Sequence, residues 1–155
     1  MRRSDKEIKD NETIQCILKE ALVCRIALCD GNKPYIVPMN FGFKDNNLYL
    51  HSAAEGYKID ILKKNNNICF ELDIKTEIVK SVNACNWGMK YYSLIGSGKA
   101  IFIEDIEEKK KSLDIIMQKY SANDTKLFEY SKSALDKTVV IKVEPTEITG
   151  KKSGY

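Results

Sequence analysis

Pro34-Tyr35-Ile36-Val37-Pro38-Met39-Asn40-Phe41-Gly42-Phe43-Lys44, the turn Asp45-Asn46-Asn47, and then Leu48-Tyr49-Leu50-His51-Ser52-Ala53-Ala54-Glu55-Gly56-Tyr57-Lys58 form the stretch on which the fold turns. Its first part alternates. Tyr35, Val37, Met39, Phe41 and Phe43 share one face, which the period of two sends into a core, while Ile36, Pro38, Asn40 and Gly42 share the other. That second face is unusual for a strand: Pro38 lacks a ladder donor, Gly42 lacks a side chain, and Asn40 carries both a donor and an acceptor. It suits either a planar polar ligand approaching the backbone or an edge strand protected by its proline. The turn then reverses the chain into a strand with Leu48 and Leu50 on one side and Tyr49 and His51 on the other.

Outward from this stretch, residues 23–28 are β-rich and Asp30-Gly31-Asn32 supplies turn chemistry before the strand over 35–44, so an antiparallel meander begins the core. A helix is predicted over 11–22 from Ile14, Ile17, Leu18, Ala21 and Leu22, with a cap region near Asn11. A second covers 57–64, with Ile59 and Leu62 on one face, and stops at Asn65-Asn66-Asn67. Strands follow over 68–80 and 91–104. The amphipathic helix over 106–120 sets Leu113, Ile116, Met117 and Tyr120 against a solvated run from Glu107 to Lys111. A short helical turn over 127–131, a strand over 138–143 and a tail over 145–155 complete the chain. Strands joined mostly by hairpins, with helices around them, predict an α+β protein, mainly β, built on an antiparallel sheet or barrel. Gly96-Ser97-Gly98 lies inside a strand-like run without the third glycine and helix of a dinucleotide fingerprint, and Gly98-Lys99-Ala100 lacks the residues of a phosphate-binding P-loop.

The size, 155 residues with 43% hydrophobic positions, predicts a single domain over 1–155. Twenty-five basic against 22 acidic residues leave +3, which does not suggest a nucleic-acid partner. No run approaches the roughly 18 apolar residues of a membrane span. The start, Met1-Arg2-Arg3-Ser4-Asp5-Lys6-Glu7, has no secretory pattern, so a cytoplasmic location is expected. Five cysteines without C-x-x-C spacing, and His51 as the only histidine, speak for a reducing compartment and against zinc. The cysteines read as small buried hydrophobes, with Cys85, beside Trp87 and Gly88, the one to watch for exposure.

A lone histidine is more often structural than catalytic. What raises the interest of His51 is its continuation, Ser52-Ala53-Ala54-Glu55-Gly56-Tyr57-Lys58. A hydroxyl, small residues, a helix N-terminus and a lysine beside it are together the groups that would hold a phosphate dianion.

These residues carry a resemblance. Pro34 to Phe41 and Leu48 to Lys58, with Cys85-Asn86-Trp87, the run from Tyr91 to Ala100 and Thr149-Gly150-Lys151-Lys152, resemble the FMN-binding split-barrel superfamily of pyridoxamine-phosphate-oxidase-like proteins, most closely its nitroimidazole-resistance family. The resemblance implies a six-stranded antiparallel split β-barrel with flanking helices that forms a homodimer, with FMN at the subunit interface. By position, Pro38, Met39 and Asn40 would lie along the isoalloxazine ring, and His51, Ser52 and Ala53 would lead toward the phosphate, which Ser52 and Lys58 would bind. Trp87 to Tyr92 would reach in from the second subunit, with Trp87 and Tyr92 as contacts. Tyr57 stands where some relatives carry a basic residue. The implied activity is that of a flavoprotein reductase, NAD(P)H passing electrons through FMN to a small acceptor such as a nitroaromatic compound, with His51 catalytic or substrate-orienting. The alternatives are a non-enzymatic flavin- or haem-binding split barrel and, less favoured because the arginines are so few, pyridoxamine-phosphate oxidase itself.

Overall fold

The structure is a computed structural model that describes residues 3–121 and 128–155. In chain order its elements are β1 (Glu7–Ile8), α1 (Asn11–Glu20), β2 (Cys24–Asp30), β3 (Lys33–Met39), β4 (Phe41–Lys44), β5 (Asn47–Ala53), α2 (Tyr57–Lys64), β6 (Asn67–Val79), β7 (Gly88–Ile103), α3 (Ile106–Tyr120), α4 (Lys132–Lys137) and β8 (Thr138–Ser153). All strand pairs are antiparallel, in the order β3-β2-β6-β7-β8-β5-β4, with β1 on β8. The mainly β, α+β class is as expected. The six strands are not: among the described residues there are eight in one sheet, and hydrogen bonds do not close it. The two end strands, β3 and β4, are nevertheless consecutive in the chain, separated by Asn40 alone.

Local chemistry accounts for most boundaries. The β4–β5 hairpin turns on Asp45 and Asn46, both at positive φ (51° and 61°), the pair of left-handed residues that a two-residue turn between twisted strands requires. Asp10 caps α1 by accepting from the Glu12 and Thr13 amides (3.0 and 2.9 Å), and Asp105 does the same for α3 from Glu107 and Glu108 (3.1 and 2.8 Å). Helix α1 stops at Glu20, short of the expected 22, because Ala21 turns extended at ψ 130°, and Leu22 is left exposed. The expected helical turn over 127–131 begins outside the described residues; Phe128 to Ser131 are not helical, and the short helix lies just beyond, in α4. The expected tail over 145–155 is instead the second half of β8. Pro145, which has no amide hydrogen, sits at a register shift opposite Gly98, where the ladder already gives way. Of the cysteines only Cys24 is buried and Cys29 is partly so; Cys16 on α1, Cys69 at an outward position of β6 and Cys85 in the turn before β7 are exposed, and all five are free thiols.

Alternation along the strands fills two cores. The larger contains Phe41, Leu50, Phe70, Leu72, Leu94 and Ile141; the smaller joins Ile103 and Val140 to Leu113, Ile116 and Leu135 under α3 and α4. The β5–β8 region is therefore covered on both faces. Helix α3 lies directly on β4: a Cβ on Gly42 would come within 2.8–2.9 Å of the Ile115 side chain and backbone. Gly42 is thus covered by a helix rather than open to a ligand, unlike Ile36, Pro38 and Asn40, which share its predicted face and are exposed. The end of α3 fixes the neighbouring backbone. Lys119 Nζ donates to the Leu18 and Lys19 carbonyls (2.7 and 2.8 Å), and Tyr120 OH donates to Leu22 O (2.8 Å) while accepting from the Phe41 amide (3.0 Å), one residue after Asn40.

Candidate functional site

Along β5 the two-residue period sends Leu48 and Leu50 into the large core and turns Tyr49 and His51 toward α3 and α4. His51, Ser52 and Ala53 pair with Val140, Val139 and Thr138 of β8, so the end of β5 is held in a ladder. The chain then reaches Gly56, whose φ of 123° is a conformation that side-chain-bearing residues rarely adopt, and α2 starts at once. No side chain caps this helix. The Gly56 carbonyl accepts from the Ile59 and Asp60 amides (2.9 and 3.1 Å), which leaves the Tyr57 and Lys58 amides without partners among the described residues.

Electrostatics adds to this open end. Lys58 is half-buried, and burial alone lowers its pKa, with no carboxylate to offset it. The pKa of His51 is lowered by burial first and by the charge of Lys58 second, so the two groups feel each other and the fold favours the neutral imidazole. An anion seated at the α2 N-terminus would relieve both shifts, because it replaces lost hydration with an opposite charge. Tyr57 takes no part: its hydroxyl donates to Asp30 (3.2 Å) and its ring packs edge-on against Tyr35 at 5.1 Å, toward the β2–β3 hairpin.

The remaining expected residues divide in two. Asn40, between β3 and β4, is the residue just before the Phe41–Leu50 pair, at the end of the β4–β5 ladder where β5 continues into His51. Pro38 is exposed opposite Arg25, and Met39 is 8% exposed with its side chain in the large core, so its backbone is what it can offer a ligand. Trp87 and Tyr92 are elsewhere. Trp87 is exposed at the β6–β7 hairpin and donates through Nε1 to Ser81 O (2.7 Å); Tyr92 stacks on Tyr155 at 4.8 Å. The neighbour of His51 across β8 is Ile103 of β7. Eleven residues separate it from Tyr92, about 36 Å of strand path at 3.3 Å per residue. One chain therefore places His51, Ser52, Ala53 and Lys58 along one strand-to-helix turn, with Asn40 at the end of the adjoining ladder, and leaves Trp87 and Tyr92 at the other end of β7.

The sequence also left unnoticed a pocket beside His51, walled by α3 and α4. Its signal was present in the apolar spacing of Leu113, Ile116 and Met117, which reads equally as core. Among the described residues no group of three or more His, Cys, Asp or Glu side chains could hold a metal ion, and no helix is long and apolar enough to cross a membrane.

Residues 10–152 match the family model of pyridoxamine 5'-phosphate oxidase. Among solved structures, a candidate 5-nitroimidazole antibiotic resistance protein from Bacteroides thetaiotaomicron is 39% identical, with a TM-score of 0.83 over 94% of this chain and 86% of that one. The flavocytochrome Anf3 from Azotobacter vinelandii (19% identity, TM-score 0.86, 100% of this chain and 72% of that one) shares the fold. So does an FAD- and heme-binding protein from Mycobacterium smegmatis (17%, TM-score 0.87, 97% and 74%). No curated sequence matches the chain. The matched length, together with the 39% identity over nearly the whole chain, places this protein in the pyridoxamine 5'-phosphate oxidase-like family.

Proposed function

We propose that this protein is an FMN-dependent reductase that acts as a homodimer and passes electrons from NADH or NADPH, through the flavin, to a small acceptor such as a nitroaromatic compound. The observation that carries the reading is the half-buried Lys58 at the uncapped N-terminus of α2, one strand-to-helix turn beyond His51, whose pKa its charge lowers. Relatives agree in kind: one is described as a 5-nitroimidazole resistance protein, and two others are named for flavin or heme. Bound FMN would supply the electron-transfer chemistry.

The chain's own residues would bind and orient. Lys58 Nζ and the free Tyr57 and Lys58 amides would hold the phosphate, with Ser52 donating its hydroxyl. Asn40 would offer a carboxamide donor and acceptor to the polar edge of the ring, while Pro38, Met39 and Ala53 keep the approach to the backbone low. His51 has no hydrogen-bond partner among the described residues, and its lowered pKa favours the form of the ring that can both donate to and accept from a bound acceptor. The dimer reading is supported by the distance of Trp87 and Tyr92 from His51 and by the exposed apolar surface of Ile78, Val79, Val82 and Met89 around the same hairpin. Pyridoxamine-phosphate oxidation itself is disfavoured, because both arginines among the described residues are engaged, Arg25 by Glu71 (3.0 Å) and Asp73 and Arg3 by Asp5.

The fold likeness to a flavocytochrome favours one other reading, a non-enzymatic binder of flavin or of haem through His51. Visible absorption of the purified protein separates the two. A flavin spectrum bleached by NADH or NADPH supports the reductase, and His51→Ala should then lower turnover while leaving flavin content intact. A flavin spectrum that neither nucleotide bleaches, or a Soret band, favours the binder, and a colourless protein that refuses added FMN defeats both.

A further inference from the structure

Helices α3 and α4 enclose a pocket of about 210 Å³ that opens beside His51. Leu113, Ile116 and Met117 of α3 form one wall, and Ala134 and Leu135 of α4 form the facing one. Its polar groups are nearly all committed. Tyr130, on the rim, donates its hydroxyl to Asp114 (2.9 Å), and Thr138 donates its own to the Ala134 carbonyl (2.8 Å). Lys109 Nζ, on α3, donates to the Leu135 and Thr138 carbonyls (3.1 and 3.0 Å), which ties α3 to the junction of α4 and β8 and fixes the spacing of the two walls. His51 is the lining side chain left with an uncommitted donor and acceptor.

We propose that this pocket seats the ring of a small, neutral, single-ring compound, with His51 forming its one directional hydrogen bond. The walls favour an apolar, flat body, because a buried polar group without a partner would cost more than the pocket returns. The volume lies below the roughly 300–1,000 Å³ of sites for drug-sized ligands, so one substituted ring fits and a dinucleotide does not. The pocket lies on the α3–α4 side of β5, whereas the phosphate cluster lies past the end of the strand; His51 is the residue common to both. The assignment of this ligand as the electron acceptor rests on the reductase reading; its binding does not.

The test is a titration of the uniformly ¹⁵N-labelled protein, as purified and without nicotinamide, with 5-nitroimidazole and with nitrobenzene. Saturable shifts centred on Leu113, Met117, Ala134 and Leu135 are expected. Met117→Phe and Ala134→Phe, which narrow the pocket from opposite walls, should each weaken binding about tenfold or more. His51→Gln, which keeps a donor and an acceptor, should bind better than His51→Leu. Shifts that map elsewhere, no saturation with either probe, or unchanged affinity in both filled variants would overturn the proposal. Binding here without nucleotide-dependent bleaching would sink the reductase and leave the pocket standing; bleaching with binding mapped elsewhere would do the reverse.

Discussion

Gly96→Ala is a sensitive test of how the larger core is packed. Gly96 pairs with Phe70 across the β6–β7 ladder, and the Phe70 ring lies over it. A Cβ at Gly96 would fall 2.6 and 2.8 Å from two ring carbons and nearer still to Cζ, where carbon contacts settle at about 3.5–4.0 Å. The ring would have to retreat by about an ångström. Phe70 is 0% exposed, so it can only push into Leu94, Ile26 and their neighbours in the same core. Overpacking of this kind costs about 1–3 kcal/mol. At about 2–4 °C per kcal/mol for a chain of this length, thermal unfolding should shift down by about 2–12 °C.

The assay is a double-mutant cycle with Phe70→Leu, read by urea and thermal denaturation. Phe70→Leu alone leaves a cavity and destabilises, but with Gly96→Ala the new methyl occupies part of it. The double variant should be more stable than the sum of the two losses predicts, by about 0.5–3 kcal/mol. Gly98→Ala is the control, since its Cβ would meet the backbone of Glu144 and Pro145, two contacts at 2.9 Å and a closer one to the Glu144 carbonyl. Backbone cannot rotate away, so Phe70→Leu should not rescue it. Refutation is clear-cut: a Gly96→Ala midpoint within about 1 °C of the parent, or losses that simply add, would mean that the ring does not rest on Gly96 as described.

Three further outcomes are expected. Lys58→Met should weaken FMN binding about tenfold to hundredfold, the worth of a charge-assisted hydrogen bond, while Lys58→Arg keeps most of it; equal dissociation constants in a flavin-fluorescence titration would contradict the phosphate role. The pKa of His51 is lowered in the fold by burial and by Lys58, so the unfolded chain holds that proton more tightly. Its contribution to stability is therefore complete above its unfolded value of about 6.5 and is lost as pH falls through the lower folded value, and His51→Gln should flatten the denaturation-midpoint profile below pH 6.5. Finally, burial holds the Cys24 thiol up to about 12, so native protein treated with maleimide should label at Cys69 and Cys85 and spare Cys24 until denatured, as read by peptide mass spectrometry.

Where structure was legible in the sequence, the deciding interactions were local. Helices α2 and α3 run over 57–64 and 106–120, as their spacing predicts, because a glycine start, an aspartate cap and an asparagine run mark their ends within a turn. The second half of β8 was hidden because its strand identity comes from β7: Pro145 and Glu147 have poor intrinsic strand preference, and the ladder from Gly98 to Tyr91 overrides it. Helix α4, six residues long, is too short to show a period. Asn40 divided one predicted strand into two for the same reason, since its two sides pair with opposite ends of the sheet.

The same distinction governs the site. Lys58 and His51 stand seven residues apart, so one strand-to-helix turn brings them together and the sequence can display them. The pocket beside them draws on β5, α3, α4 and the start of β8, and no short window contains it. Trp87 and Tyr92 raise a third case. Neither local sequence nor a single chain brings them near His51, since they occupy the far end of β7 among exposed apolar side chains. If both halves serve one ligand, the second copy is part of the site rather than a neighbour of it. Flavin affinity should then fall on dilution through the dimer dissociation range, and Trp87→Ala should weaken flavin binding while leaving the His51 and Lys58 environment of the same chain unchanged.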